Sequence, residues 1–318
     1  ADRLLQLSGA VDRREFRDQV LDDMELERER GITIKASCVQ LRYRTRDGQE
    51  YLLDLIDTPG HVDFAFEVAK SLQACEGTLL VVDATQGVEA QTVANYLLAK
   101  ERGLSVIPVI NKIDLGTAQV DRVTREIRQL LQQPDIAISQ VSAKEGRGIE
   151  EVLERVVREI PPPGGNPANP LAGLVFDSVY DDYKGVVVFV KVVEGRLRHG
   201  MGLTFLGSSK RYQAQEVGIL TPKPVPVDEL CAGEVGYLTA NIRDPRDVLA
   251  GETITETARP VTTALPGFRR LKPMVFAGIY PADAQDLETL KDAMEKLILN
   301  DPAFTFEPEQ SDALGQGF

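Results

Sequence analysis

The chain has 318 residues, a formal net charge of -13, and 43% hydrophobic and 27% charged residues. This length is sufficient for two or three domains, and the composition is that of an ordinary globular protein. The acidic balance excludes general binding to nucleic acid or membrane by overall charge, although it is compatible with a local basic patch. The three cysteines, Cys38, Cys75 and Cys231, show no CxxC spacing. They predict structural thiols in a reducing cytosol.

The first part of the chain combines a helix with a strongly charged run. Residues 1–9 are predicted to be helical, and Asp22 to Arg30 carry mostly charged side chains. For Glu25 to Arg30 we predict a solvated helix face or a mobile loop. Thr33 differs from this run because it lies between two isoleucines, just after Gly31. We expect its hydroxyl to be presented inward.

Two predicted strands follow, over Cys38–Arg44 and Tyr51–Ile56, joined by an Asp47-Gly48 turn. The second strand leads into Asp57-Thr58-Pro59-Gly60-His61. Ligands of open α/β sheets bind at the carboxyl ends of strands. A carboxylate there suits Mg²⁺, a glycine N–H suits a phosphate oxygen, and a histidine can position a water. On its own, the segment is equally compatible with an ordinary strand-to-loop turn.

From residue 62 to residue 160, helices alternate with short aliphatic strands. This alternation predicts a mostly parallel sheet with helices on both faces. The predicted helices are Val62–Cys75, Ala90–Arg102, Ala118–Gln132 and Ile149–Ile160, and the predicted strands are Thr78–Asp83, Ser105–Ile110 and Ile136–Val141. Functional residues are then expected on the loops that follow the strands.

Two of these loops carry polar motifs, Asn111-Lys112-Ile113-Asp114 and Ser142-Ala143-Lys144. A carboxylate at Asp114 can accept from the N1–H and the amino group of guanine, while the stem of Lys112 packs on the base. Each motif alone is compatible with a polar turn or a helix-capping serine. Three such loops in this order on one sheet edge favour a guanine-nucleotide site.

Proline content and strand content suggest the domain organisation. We predict an α/β domain over 1–162, a proline-rich linker over 163–170, a β-barrel over 171–262 and part of an α+β unit over 268–318. The barrel strands are predicted at Ala172–Tyr180, Gly185–Val193, Gly202–Leu206, Arg211–Leu220 and Glu234–Ala240. A basic group in this region could touch a phosphate backbone or form a solvated rim; it comprises Arg196, Arg198, His199, Lys210 and Arg211.

The last predicted unit is about half of a ferredoxin-like arrangement. It consists of a strand over Pro273–Ile279, a helix over Ala284–Leu299 and a strand over Ala303–Phe306.

Together with Arg30-Gly31-Ile32-Thr33-Ile34, these loop motifs resemble the guanine-nucleotide motifs of translational GTPases. The stretches VLDDMELERERGITIKAS, GVEAQT, LKPMVFAGIYP and LNDPAFTFEPE resemble the LepA family, ribosome-dependent back-translocation and fidelity factors, over essentially the whole chain. The resemblance implies a multidomain fold: an α/β P-loop-type G domain, a translation-factor β-barrel and a partial ferredoxin-like α+β domain. Another translational GTPase, related to EF-G or BipA/TypA, remains the alternative within this class.

On the phosphate side, the resemblance implies that Thr33 and Asp57 hold Mg²⁺ and that the Gly60 N–H meets the γ-phosphate of GTP. It implies that Gly31, Ile32 and Thr33 form the first switch, with Ile32 as one side of a hydrophobic gate.

The catalytic residue would be His61, in the segment with Thr58 and Pro59. It would position the attacking water once the sarcin-ricin loop of the ribosome aligns it.

On the base side, Asn111, Lys112 and Asp114 would recognise guanine, and Ser142, Ala143 and Lys144 would support the base by backbone contact. The implied ligands are GTP, GDP and Mg²⁺, and the implied partner is the ribosome, with the C-terminal half of family members reaching its tRNA region. A monomeric cytoplasmic protein is expected, with peripheral association at the cytoplasmic face of the bacterial inner membrane.

The sequence departs from the family pattern in one respect, because it contains no GxxxxGK[ST] motif. Family members carry this phosphate-binding loop just before a segment like ADRLLQL. We therefore expect a fragment without the P-loop and the C-terminal half, which binds GTP poorly and hydrolyses it negligibly. A hypothesis of another class is a non-hydrolysing ribosome-binding module.

Overall fold

The computed structural model describes residues 1–11, 19–22, 24–181, 183–244, 247–267, 276–300 and 304–318. They divide into two units. The first comprises Ala1–Pro163 with Ile219–Val225, and the second comprises Gly164–Gly218 with Pro226–Phe318. Within the described ranges, none of the helices combines the length and the apolar character that a membrane span requires.

The first unit begins with two short helices and a hairpin. These are α1 (Asp2–Leu7), α2 (Glu25–Arg30), β1 (Ser37–Arg44) and β2 (Glu50–Asp57). The predicted turn joins the two strands, with Gly48 at φ 87°, a left-handed conformation that glycine adopts without strain. The antiparallel register pairs Ser37 with Asp57. The chain that enters β1 and the chain that leaves β2 therefore lie at the same end of the hairpin.

The alternating part of the first unit follows the predicted order closely. Its elements are α3 (Ala65–Gln73), β3 (Gly77–Asp83), α4 (Ala90–Glu101), β4 (Ser105–Asn111), α5 (Val120–Leu131), β5 (Ser139–Gln140) and α6 (Ile149–Glu159). β3, β4 and β5 form a parallel sheet in that order. β5 is much shorter than the predicted Ile136–Val141, since only two of its residues pair with β4.

The parallel sheet is covered on both faces, as predicted, because alternate side chains of its strands face opposite ways. Leu80, Val82 and Ile110 pack with buried residues of α4 and α5. Ile107 and Val109 pack with Val141 and with residues of α6 on the other face.

One predicted feature of this sheet is wrong. In the described part of the chain, β2 pairs with β1 in a separate two-stranded sheet, so Asp57 does not share a sheet with the loops after β4 and β5. The tight hairpin satisfies the backbone groups along one edge of β2 locally, so this edge needs no bond to the parallel sheet.

The second unit is mainly β. The strands of this part of the chain are β6 (Ala172–Asp181), β7 (Gly185–Glu194), β8 (Arg196–Arg198), β9 (Gly202–Phe205), β10 (Arg211–Gln213), β11 (Glu216–Leu220), β12 (Pro224–Pro226), β13 (Glu229–Cys231), β14 (Val235–Thr239) and β15 (Thr253–Glu256). Of these, β11 and β12 lie partly in the segment Ile219–Val225, which is grouped with the first unit. Eight of the strands β6 to β15 form one sheet in the order β10-β9-β15-β6-β7-β14-β11-β12, and β8 pairs with β13. Val186, Val188, Val190 and Val192 of β7 are fully buried and form part of its core.

The basic group of this unit is largely neutralised by carboxylates. Arg196 and Arg198 both pair with Glu229, and Lys210 lies 3.7 Å from Asp247. These ion pairs favour a structured rim over a phosphate-binding patch.

The C-terminal part contains α7 (Leu287–Asn300) and a hairpin of β16 (Glu309–Ser311) and β17 (Gly315–Gly317). The helix was predicted, and the hairpin was not. Two strands were also predicted in this part, over Pro273–Ile279 and Ala303–Phe306. Their residues 276–279 and 304–306 are not in strands, and their residues 273–275 and 303 lie outside the described residues. The half ferredoxin-like arrangement stays a prediction.

Candidate guanine-nucleotide site

The loops after β4 and β5 are joined by the side chain of Asn111. Its Oδ1 accepts hydrogen bonds from the backbone N–H of Lys112 at 2.8 Å and from that of Ala143 at 3.0 Å. The backbone N–H of Ile113 also donates to the carbonyl of Val141, at 3.3 Å. The two motifs that were assigned to a base from the sequence are therefore brought together by direct bonds.

Asp114 is hydrogen-bonded to the loop after β5 at this junction. A hydrogen bond from the hydroxyl of Ser142 is the main cause that lowers the pKa of Asp114, and the positive charges of Lys144 and Arg147 contribute. Ser142 is fully buried, and its Oγ also accepts from the N–H of Glu145 at 3.1 Å. A carboxylate that stays ionised can accept two N–H groups from one ligand edge.

Lys112 is held by Asp83, a residue for which no role was predicted from the sequence. Its backbone has φ 66°, a left-handed conformation that is uncommon outside glycine, and its Nζ lies 2.7 Å from Oδ2 of Asp83. Burial alone would raise the pKa of Asp83, but hydrogen bonds from Lys112 and Thr85 hold that pKa at about 2. Asp83 lies opposite Asn111 in the β3–β4 register. Its position at the carboxyl end of a strand was the available sequence signal.

The segments next to the β1–β2 hairpin form the second part of the candidate site. Burial raises the pKa of Asp57, and the nearby carboxylates of Asp22 and Asp2 act in the same direction. The hydroxyl of Thr33 donates to Oδ1 of the buried Asp22 over 3.1 Å. Carboxylate and hydroxyl oxygens are the ligand types that a hard cation such as Mg²⁺ prefers.

Among the described residues, however, no group of three or more His, Cys, Asp or Glu side chains is arranged to hold a metal ion. Magnesium in nucleotide sites commonly takes one or two protein ligands, with phosphates and waters completing its shell. The hydroxyl of Thr33 and the carboxylate of Asp57 are ligand types that suit that mode of binding.

Glu27 organises the chain around Thr33, and the predicted solvated helix face is wrong for this residue. Its side chain is 2% exposed because Oε1 accepts from the backbone N–H groups of Ile34 and Lys35 at 2.9 and 3.0 Å, and Oε2 from that of Met24 at 3.0 Å. The helix ends at Gly31 with φ 65°, a left-handed cap that glycine adopts readily. Ile32, next in the chain, is 40% exposed.

The segment after Asp57 presents His61 to solvent. Pro59 is buried, Thr58 is half-buried and Gly60 is exposed, with the Gly60 carbonyl accepting from Nδ2 of Asn95 at 3.4 Å. The side chain of His61 is 50% exposed. Its Nδ1 accepts from the backbone N–H of Asp63 at 3.3 Å, which leaves Nε2 as the ring nitrogen for another contact.

Known protein families match both the α/β part and the β part of this chain. Residues 1–162, about half of the chain, match the family described as the elongation factor Tu GTP binding domain. The chain belongs to this translational GTPase family. Residues 185–255 match elongation factor Tu domain 2. The fold class is thereby confirmed for an α/β G domain followed by a translation-factor β domain.

The curated relatives sharpen the assignment. The whole chain is 52% identical to Elongation factor 4 of Desulforudis audaxviator (strain MP104C) and 53% identical to Elongation factor 4 of Aquifex aeolicus (strain VF5), covering 53% of each relative. It is also 52% identical to Elongation factor 4 of Geobacillus thermodenitrificans (strain NG80-2). The resemblance to the LepA family is confirmed. The chain spans about half the length of the curated relatives it matches.

Two solved structures share the fold. A crystal structure of a protein from Thermus thermophilus superposes with a TM-score of 0.76 at 18% identity, over 99% of this chain and 60% of that one. Translation elongation factor SelB from Methanococcus maripaludis, in complex with the GTP analogue GppNHp, gives a TM-score of 0.60 at 22% identity, over 76% of this chain and 51% of that one. At these identities the likeness concerns the fold alone.

Proposed function

We propose that this chain forms the G domain and the β-barrel of a ribosome-stimulated GTPase of the Elongation factor 4 (LepA) type, a back-translocation and fidelity factor in translation. The observation that carries the proposal is the bonding of Asn111 and Asp114 to the Ser142–Lys144 loop, an arrangement that suits an acceptor site for a base edge. Membership of the family and the names of the relatives support it.

Base recognition is proposed to rest on three side chains and one loop. Asp114, whose pKa is lowered by a hydrogen bond from Ser142, accepts from the N1–H and the amino group of guanine. Adenine presents a different edge to this carboxylate and is therefore disfavoured. Lys112, anchored by Asp83, covers the base with its stem, and Asn111 holds the supporting loop in place.

Phosphate chemistry is proposed for the end of the β1–β2 hairpin. Thr33 and Asp57 are the residues that would hold Mg²⁺, an ion that neutralises charge developing on the phosphates when bound. The Gly60 N–H binds the γ-phosphate, and His61 positions the attacking water through its exposed ring. For this role Thr33 has to exchange its hydrogen bond to Asp22 for the ion, a change that belongs to the first switch with Gly31 and Ile32.

The remaining parts of the proposal concern partners and context. We propose that the ribosome, through its sarcin-ricin loop, aligns His61, and that a C-terminal half of the kind found in the relatives reaches the tRNA region. The protein is proposed to be a cytoplasmic monomer with peripheral association at the inner membrane. Because the 318 residues contain no GxxxxGK[ST], they are proposed to hydrolyse GTP negligibly by themselves.

The experiment that tests the proposed function replaces Asp114 by Asn in the natural gene product. Xanthine carries an oxygen where guanine carries its amino group, so an amide at position 114 should shift preference from guanine to xanthine nucleotides by at least about tenfold in the ratio of affinities. Dissociation constants for GDP and XDP, measured on both proteins, give that ratio. An unchanged preference would remove Asp114 from base recognition.

A further inference from the structure

Arg3, on helix α1, bridges that helix to the loop after β5. Its Nε donates to the carbonyl of Ala143 over 2.7 Å, and its Nη2 donates to the carbonyl of Lys144 over 2.7 Å. Its Nη1 donates to Oε1 of Gln6 over 2.6 Å, within α1. The planar fork of a guanidinium is suited to holding two acceptors in a fixed mutual geometry.

These contacts determine how the loop presents its backbone. The carbonyl and the N–H of a trans peptide point in opposite directions, so holding the Ala143 carbonyl also sets the direction of the Lys144 N–H. The neighbouring N–H groups are engaged within the protein, that of Ala143 by Asn111 at 3.0 Å and that of Glu145 by Ser142 at 3.1 Å. Arg3 thus completes a set of contacts that fixes successive peptides of this loop.

We infer that Arg3 is a positioning residue for the guanine base, an inference that rests on the proposed function. Asp114 takes the two N–H donors of the base edge, and the remaining polar atom of that edge is the acceptor O6. The backbone N–H of Lys144 is the matching donor, and Arg3 holds it in place through the Ala143 carbonyl on the opposite side of the same peptide. Arg3 itself does not touch the base.

A purely structural link between α1 and the loop makes a different prediction. Losing such a link would weaken the binding of every nucleotide to the same extent. Losing a residue that orients an N–H toward O6 should weaken chiefly the preference for a nucleotide with an oxygen at position 6 over one without it. Two analogues separate these cases, because 6-thio-GDP replaces O6 by a weakly accepting sulfur, whereas IDP retains O6 and lacks the amino group that faces Asp114.

The experiment compares the natural gene product with its Arg3→Ala and Arg3→Lys variants by the dissociation rates of GDP, 6-thio-GDP and IDP. We expect Arg3→Ala to speed GDP dissociation about tenfold. The ratio of the 6-thio-GDP dissociation rate to the GDP dissociation rate should fall, whereas the corresponding ratio for IDP should stay unchanged. Arg3→Lys should recover part of the effect, because an ammonium can still donate to one carbonyl. Circular dichroism confirms that each variant is folded.

Arg125→Ala is the matched control, since the exposed Arg125 donates to the carbonyl of Asp121 on its own helix, at 3.3 Å; its rates should equal those of the parent. Equal acceleration of all three nucleotides by Arg3→Ala, or none, would overturn the inference about Arg3 and leave the proposed function standing. A parent protein that does not prefer GDP over ADP would overturn both.

Discussion

At the scale of single residues, His61 is the side chain on which the proposed hydrolysis depends most. Its ring is half exposed, and its Nδ1 is engaged by a backbone N–H, which leaves Nε2 to contact a water. His61→Ala should therefore lower ribosome-stimulated GTP hydrolysis by about 100-fold or more while GTP affinity changes little. Phosphate release with ribosomes and equilibrium binding measure the two quantities. The chain offers one matched control, His199→Ala, and a parallel loss of binding in His61→Ala would contradict the positioning role.

The ion pair of Lys112 and Asp83 makes a prediction about protonation. Replacing Lys112 by Met should raise the pKa of Asp83 from about 2 by roughly one unit, because Thr85 still donates two hydrogen bonds to its carboxylate. Since the folded pKa lies below the ordinary value of about 3.9, the pair stabilises the fold fully above pH of about 4 and loses this effect as the pH falls toward 2. NMR titration of the Asp83 carboxyl carbon measures the pKa. Lys100→Met should leave it unchanged, and an unmoved pKa in Lys112→Met would exclude Lys112 as the main partner.

The residues of the candidate site divide by how far apart in sequence their partners lie. Asn111, Asp114 and Ser142 could be proposed from the sequence because each lies at, or within a few residues of, the end of an aliphatic strand. Arg3 could not, because its partners lie 140 and 141 positions away and only the folded loop supplies the carbonyls. Glu27 looks like any member of a charged run, and its burial depends on the chain folding back over α2.

At the scale of elements, α2 and the chain after it behave as one structure held by Glu27. Glu27→Ala should remove an acceptor shared by three backbone N–H groups, which we expect to cost about 2 kcal/mol of local stability. Amide hydrogen exchange at Ile34 and Lys35 should then accelerate about 30-fold. Glu25→Ala on the same helix is the control, since Glu25 is exposed. Unchanged exchange at both amides would show that other contacts order this segment.

The elements themselves were predictable where their hydrophobic pattern is long. β3, β4, β6 and β7 have continuous or alternating apolar residues, and their predicted limits lie within one or two residues of those observed. The three-residue strands β8, β12 and β13 are too short to carry a pattern; β8 and β13 pair with each other, and β12 pairs with the longer β11. The separation of β2 from the parallel sheet likewise depends on pairing, which periodicity does not specify.

At the scale of the whole molecule, the predicted linker 163–170 divides into an exposed initial part and a segment that is bonded to the end of β7. Asn166 and Asn169 are tied to Glu194 at the end of β7, through the N–H of Asn166 at 2.7 Å and Nδ2 of Asn169 at 3.0 Å. Gly165 has φ 107°, and a Cβ there would lie 2.1 Å from the carbonyl of Val193. Residues 166–169 therefore belong to the second unit, and the connecting chain within this predicted linker is limited to the exposed residues before Gly165.

This division predicts where the chain can be cut. A protease site inserted between Pro162 and Pro163 should yield, after cleavage, two fragments that each unfold cooperatively, with melting temperatures close to those in the uncut protein. The same site inserted after Ala168 should separate the bonds that Glu194 makes to Asn166 and Asn169 and lower the melting temperature of the second unit by about 4 °C. Differential scanning calorimetry of both insertions, cut and uncut, measures the shifts. If the first cut unfolds either fragment, the two units depend on each other for stability; if the second insertion is harmless, Glu194 does not anchor this segment.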